Sequence, residues 1–307
     1  MGEVRIASAP CSWGILSGFG AEDSFPAPEE VMDGIVATGF EGTELGDPGF
    51  MPEEPEAVAS MLKRRDLSMV GALVPIALAD RANHQAGVES ALKTARVLAA
   101  CDGPDAWNGG AQVVLADANG KNEMRVDNAG RIKPEHGLSD DEWQAFAEGA
   151  NLVARAVRDE AGLRTAFHHH CAGFIETPEE TERFLEMTDP DLVGLCYDTG
   201  HYVYAGGDAL DGLRRFRERI WHVHFKDCHP AIAEEARASG WSYFDAVGNG
   251  LFFKLGGGLV DFGAVIRDLR DSGYSGWIVV EDELPPGKAD AFEANKNDRE
   301  LLRGLGI

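Results

Sequence analysis

The chain has 307 residues, 44% of them hydrophobic, and a formal net charge of −24. Such a chain can bury a large core, but it repels nucleic-acid phosphates and anionic membrane surfaces, so its acidity reads as solubility. No apolar run reaches the roughly 18 residues that span a bilayer, no secretory apolar segment precedes the first strand pattern, and Cys11, Cys101, Cys171, Cys196 and Cys228 are scattered without a CxxC pair, as in a reduced, cytoplasmic chain.

In chain order, a strand-like run at 4–10 is followed by a helical pattern at 28–38. Runs at 40–46 and 67–76 alternate with helical patterns at 54–65 and 87–101. The run at 111–118 is nearly all apolar, as in strands buried on both faces. A helix is expected at 140–160, opened by a capping box from Ser139 to Glu142. After the run at 164–170, Thr177, Pro178 and Glu180 open a helix at 178–187 in the same way, with Pro at the first helical position. The runs 193–200, 220–227 and 276–283 then alternate with helices at 208–219, 260–272 and 289–303.

Eight strand–helix alternations predict a parallel sheet with helical crossovers. Eight units favour a closed (β/α)8 TIM barrel over an open sheet, and a barrel of about 250 residues is commonly one domain. The expectation is a single domain over 1–307, with long loops after strand four (117–139) and strand seven (228–258). The first turn, Pro10-Cys11-Ser12-Trp13-Gly14, lacks the GxGxxG of a dinucleotide-binding fold. Both long loops leave C-terminal strand ends, where barrels carry their sites. The second holds Trp241, Tyr243, Phe244, Phe252 and Phe253, which suit either a wall over a ligand or a contact between subunits of a homo-oligomer.

Three strand ends in succession carry ionisable groups: Asp198 and His201, then His222, His224, Lys226 and Asp227, then Glu281, Asp282 and Glu283. Asp198, His224 and Glu281 at neighbouring tips make a candidate divalent-metal site. Imidazole beside carboxylate suits Mn²⁺, Co²⁺, Fe²⁺ or Zn²⁺ better than Ca²⁺. On strand five, the period of two sends His168 and His170 one way and His169 the other; His169 reads as structural. Lys226 either pairs with Asp227 or faces a substrate oxygen. Glu44, ending strand two, suits a sugar hydroxyl, a proton transfer or a buried ion pair. Trp13 offers an indole for stacking on a sugar ring or for the core. His222 and Glu283 are candidate substrate contacts.

These motifs give the chain a resemblance over essentially its whole length to the xylose-isomerase-like superfamily of sugar isomerases, epimerases and type IV endonucleases. The matching segments are Gly39-Phe40-Glu41-Gly42-Thr43-Glu44, Asp198-Thr199-Gly200-His201, His222-Val223-His224-Phe225-Lys226-Asp227, the 255–262 segment with Gly256-Gly257-Gly258, and Glu281. The resemblance implies metal ligands at Asp198, His224 and Glu281, with His168 where the superfamily places a strand-five Glu. That departure argues against simple epimerisation, which pairs the strand-five and strand-eight carboxylates. The His168-His169-His170-Cys171-Ala172-Gly173 pattern and Ala9-Pro10-Cys11-Ser12-Trp13-Gly14 resemble the inosose dehydratase branch. The implied reaction is dehydration of a keto-inositol through an enediolate, aided by Mn²⁺ or Co²⁺, with Zn²⁺ or Mg²⁺ as alternatives. His168 would ligate the metal and His170 work on the substrate, or the reverse; His201, Glu44 and Lys226 would complete the proton transfers. The alternatives are a keto-sugar isomerase or epimerase, and a non-catalytic sugar-binding protein. The expected partner is a small sugar or cyclic polyol, not nucleic acid or membrane.

Overall fold

In the computed structural model, which describes residues 3–16, 18–19, 25–101, 107, 110–285 and 287–307, the eight expected runs become β1 Val4–Ser8, β2 Gly42–Glu44, β3 Ser68–Ile76, β4 Gln112–Asp117, β5 Arg164–His168, β6 Val193–Asp198, β7 Ile220–Phe225 and β8 Gly276–Val280. Every neighbouring pair is parallel, and β8 closes the barrel onto β1. One main helix follows each strand: α1 Pro28–Thr38, α2 Pro55–Lys63, α3 His84–Cys101, α4 Asp140–Ala161, α5 Pro178–Met187, α6 Ala209–Arg215, α7 Phe262–Asp271 and α8 Ala291–Gly304. Both expected capping boxes form at the starts of α4 and α5.

The strand faces build two cores. The larger lies between the sheet and the helices; small separate clusters, Ala7/Ala9/Val70/Trp277/Val279 and Val114/Ala166/Cys196, fill the interior. This is why the strands read as continuous apolar runs. Behind β5, the rings of Phe146, Phe167 and Phe184 meet at centroid distances of 4.1–5.8 Å. All three are fully buried. Truncating such a ring typically costs about 3–5 kcal/mol, so the strand carrying His168 rests on a stiff support.

Several strands stop earlier than their apolar patterns, because their last polar residues turn toward other work. The run 193–200 ends at Asp198, whose Oδ1 accepts the His201 N–H at 2.8 Å and caps a short helix, Thr199–Tyr204. Asp227 leaves β7 and, with Cys228, pairs antiparallel to Phe252–Phe253. Glu281 to Glu283 lie beyond β8.

The two long loops are folded. The 117–139 segment contains the helix Glu123–Asp127, and the 228–258 segment contains Pro230–Ser239 and Tyr243–Gly248. Arg125, fully buried, donates two hydrogen bonds to Glu180 at 2.8 and 2.9 Å and one to the Gly173 carbonyl. It ties the fourth loop to α5 and to the loop after β5. No helix among the described residues is long and apolar enough to cross a membrane.

Candidate metal centre and proton-transfer site

Parallel register sets the site. Asp198 pairs with His224, and His224 with Val279, so Glu281, two residues further, points to the same interior as both. His168 pairs with Cys196, two residues before Asp198, and is likewise inward. One ligand atom from each of His168, Asp198, His224 and Glu281 lies within 4.8 Å of the others. His168 Nε2 is 3.5 Å from Asp198 Oδ2, and His224 Nδ1 is 3.2 Å from Glu281 Oε2 and 3.8 Å from Asp198 Oδ2.

Three of these atoms, His168 Nε2, Asp198 Oδ2 and His224 Nδ1, are buried and make no hydrogen bond. An unsatisfied buried polar atom typically costs about 1–3 kcal/mol, and one divalent cation would satisfy all three. Two imidazoles and two carboxylates suit such a cation. Burial raises the Glu281 carboxyl, but His224 and Lys226 outweigh it and hold it well below its ordinary value.

Beside this quartet lies a second cluster. Lys226, 1% exposed, donates to Glu283, and its Nζ is 3.0 Å from Glu281 Oε2, 3.6 Å from Asp198 Oδ2 and 3.3 Å from His201 Nε2. Burial disfavours the ammonium, yet Glu281, Glu283 and Asp198 raise its pKa well above the usual lysine value. Tyr243 donates its hydroxyl proton to Glu283 Oε2 at 3.1 Å and lies 3.5 Å from His170 Nε2.

The His170 tautomer follows from its partner: Nδ1 donates to the Cys171 carbonyl, which leaves Nε2 bare. The Cys171 N–H donates to His201 Nδ1 at 3.4 Å, and His201 Nε2 lies 3.3 Å from Glu283 Oε1. Burial lowers the pKa of His170 and of His201, which keeps both neutral. Glu283 has φ 45°, a left-handed conformation costly for a side-chain-bearing residue, and Ala172, after His170, has φ 64°. Both lie in the loops that carry the site.

A cavity of about 250 Å³ opens onto both clusters, lined by His168, His170, His224, Glu281, Glu283 and Glu44. Cys11, Asp47 and Asn119 also line it. Tyr243 and Phe244 from the seventh loop form a wall over it, and Phe244 packs against Phe19 at 6.0 Å.

Three expectations are corrected. Trp13 does not face the cavity: its Nε1 donates to Ser8 Oγ at 2.9 Å, and its ring packs so closely on Gly34 that a Cβ there would fall 2.4 Å away. His222 is not a substrate contact: it is fully buried and bonded to Glu44 Oε1 at 2.9 Å. Lys226 does not pair with Asp227, whose carboxylate accepts the backbone N–H groups of Cys228, Gly256, Gly258 and Val260 at 2.8–3.2 Å. The glycine run is thus a cradle for that carboxylate. Glu44 lines the cavity, but its Oε1 is occupied by His222 and by His224 Nε2 at 3.1 Å. Burial raises the Glu44 carboxyl, while His224 and His222 pull it down to about 2. His169 is structural as expected, accepting the Asp198 N–H at 3.1 Å. Sequence reasoning noted Tyr243 only as one of several loop aromatics; nothing in its spacing marks which one reaches Glu283.

An eight-stranded barrel with imidazoles and carboxylates gathered at the C-terminal strand ends defines an enzyme of the sugar isomerase, epimerase and dehydratase type. The chain belongs to the xylose isomerase-like TIM barrel family, which residues 33–304 match. It is 34% identical to the inosose dehydratase of Lactiplantibacillus plantarum, over 95% of this chain and 92% of that one. It is 31% identical to the inosose dehydratase of Lacticaseibacillus casei, over 94% of this chain and 93% of the relative. Its backbone also resembles the crystal structure of the IOLI protein with a bound zinc atom, at a TM-score of 0.71 and 14% identity, over 98% of this chain and 97% of that one.

Proposed function

We propose that this protein is a divalent-metal-dependent hydro-lyase that removes water from a keto-inositol. The observation that carries the reading is the adjacency of two clusters at one cavity: a quartet of candidate ligands, and a neutral imidazole with a bare Nε2 beside a tyrosine–carboxylate–lysine chain. His168, Asp198, His224 and Glu281 would hold the metal, with Mn²⁺ or Co²⁺ the best matched. When bound, the cation supplies Lewis-acid stabilisation of the negative charge that develops on the substrate's ketone oxygen.

This chain's own residues supply the proton transfers. His170 Nε2 takes the proton from the carbon next to the ketone, its tautomer set by the Cys171 carbonyl. The departing hydroxyl takes a proton from the Lys226–Glu283–His201–Tyr243 chain and leaves as water. Lys226 keeps the carboxylates charge-balanced through both transfers.

The lining supports a neutral substrate. Among the described residues it holds Glu44, Asp47, Glu281 and Glu283 and neither Lys nor Arg, and the neighbouring Lys226 is already engaged by Glu281 and Glu283, so a phosphate group would meet carboxylates without a free lysine or arginine to bind it. The near-full-length similarity to inosose dehydratases supports the keto-inositol within that class. The test is a substrate panel with Mn²⁺-loaded protein: 2-keto-myo-inositol, neutral ketohexoses and ketose phosphates. The reading expects turnover of the inosose with loss of one water. Epimerisation of a ketohexose without water loss, and no reaction of the inosose, would replace it with the isomerase reading.

A further inference from the structure

Glu44 accepts from two imidazoles at a single oxygen. His222 Nε2 lies 2.9 Å and His224 Nε2 3.1 Å from Oε1. A carboxylate only accepts, so each Nε2 facing Glu44 carries a proton. His224 can therefore offer a cation only its Nδ1. That nitrogen lies 3.2 Å from Glu281 Oε2 and 3.8 Å from Asp198 Oδ2, and any proton it holds among those carboxylates is the one a cation displaces.

The surroundings hold this arrangement in place. Glu44 is 5% exposed and His222 is fully buried. His222 sits two residues earlier on β7, one layer deeper in the barrel, and grips the same oxygen. Strand β3 leaves room for it with Gly71, where a Cβ would come 2.9 Å from Glu44 Oε1.

We infer that Glu44, anchored by His222, is a positioning residue that locks His224 in the tautomer presenting Nδ1 to the cation. The inference rests on the proposed metal site. It assigns Glu44 a task other than binding a sugar hydroxyl or carrying a proton. Partners of this kind orient a ligating imidazole, and their loss typically weakens metal binding by about 10–100-fold.

The test reads histidine tautomers and Zn²⁺ affinity, not turnover. ¹⁵N-histidine NMR of the metal-free wild type should show His224 protonated at Nε2, and Zn²⁺ should shift its Nδ1 resonance. Competition with a chelating dye should give E44A about 10–100-fold weaker Zn²⁺ binding, while E44Q, which keeps an acceptor oxygen, stays within about threefold of wild type. A His224 whose Nε2 carries no proton, ligation through Nε2, or an E44A protein that binds Zn²⁺ as tightly as wild type would overturn the inference and leave the metal site standing. The wild-type spectrum decides the matter if E44A does not fold. A wild type that binds no Zn²⁺, Mn²⁺ or Co²⁺ would remove the metal site and this inference together.

Discussion

Replacing Lys226 with Met removes a buried ammonium that stands against Glu281, Glu283 and Asp198. The side chain is 1% exposed and its Nζ also lies 5.0 Å from the centre of the Phe252 ring, so water cannot take its place. Removing one partner of a buried ion pair typically costs about 3–5 kcal/mol. At roughly 2.1 cal/mol/K of unfolding entropy per residue, a chain of this length loses about 5–8 °C of Tm for that cost. A divalent cation would restore positive charge among the same carboxylates. The prediction is that metal-free K226M melts about 5–8 °C below wild type by calorimetry, and that Mn²⁺ raises the Tm of the variant more than that of wild type. A metal-free Tm within about 2 °C of wild type, or equal Mn²⁺ increments for the two proteins, would refute the charge balance described here.

Gly258→Ala should destabilise the protein by about 2–4 kcal/mol in urea unfolding, because the new Cβ would fall 2.2 Å from Asp227 Oδ1 and 2.5 Å from the Cys228 carbonyl. An unchanged midpoint would show that the cradle around Asp227 yields easily. Tyr243→Phe deletes a hydrogen bond to a charged group, worth about 1.5–3 kcal/mol; it should lower kcat roughly 10–100-fold with KM nearly unchanged, and the reverse split would make Tyr243 a binding residue only. Burial pushes Glu176 up to about 7, against the Gly130 and Ala172 N–H groups and Arg125. A carboxyl with a raised folded-state pKa contributes stability that is complete below its unfolded value and is lost as pH rises through about 7. Unfolding free energies of wild type and Glu176→Gln should therefore diverge in favour of the variant by about 3 kcal/mol between pH 4.5 and pH 8; parallel pH curves would contradict the shift.

Fold and site were legible to different depths. The strands of a closed parallel barrel are apolar on both faces, so 111–118 and its seven counterparts stood out as runs, and the capping boxes at Ser139 and Thr177 marked helix starts. Asp198, His224 and Glu281 were legible because a strand's alternation and a common C-terminal edge place such residues together. His168 and His170 followed from the same alternation. What lay beyond reading was direction at the turns. Nothing in the sequence says that Trp13 folds back onto Ser8 and Gly34, or that Asp227 turns from Lys226 toward a glycine cradle. Tyr243 was equally hidden, since a loop helix brings it to Glu283 from 40 residues away in sequence. His222 read as a substrate contact because it shares a strand face with His224; its depth in the barrel gives it to Glu44 instead.

The most direct test of the account is water loss from 2-keto-myo-inositol, followed by dione absorbance and by mass, with metal-stripped and Mn²⁺- or Co²⁺-reconstituted protein, beside Glu281→Gln and His170→Ala. The account predicts loss of one water only with metal, a Glu281→Gln variant that no longer binds the metal, and a His170→Ala variant that binds it without turnover. Undiminished dehydration by the stripped enzyme, or by His170→Ala, would contradict it.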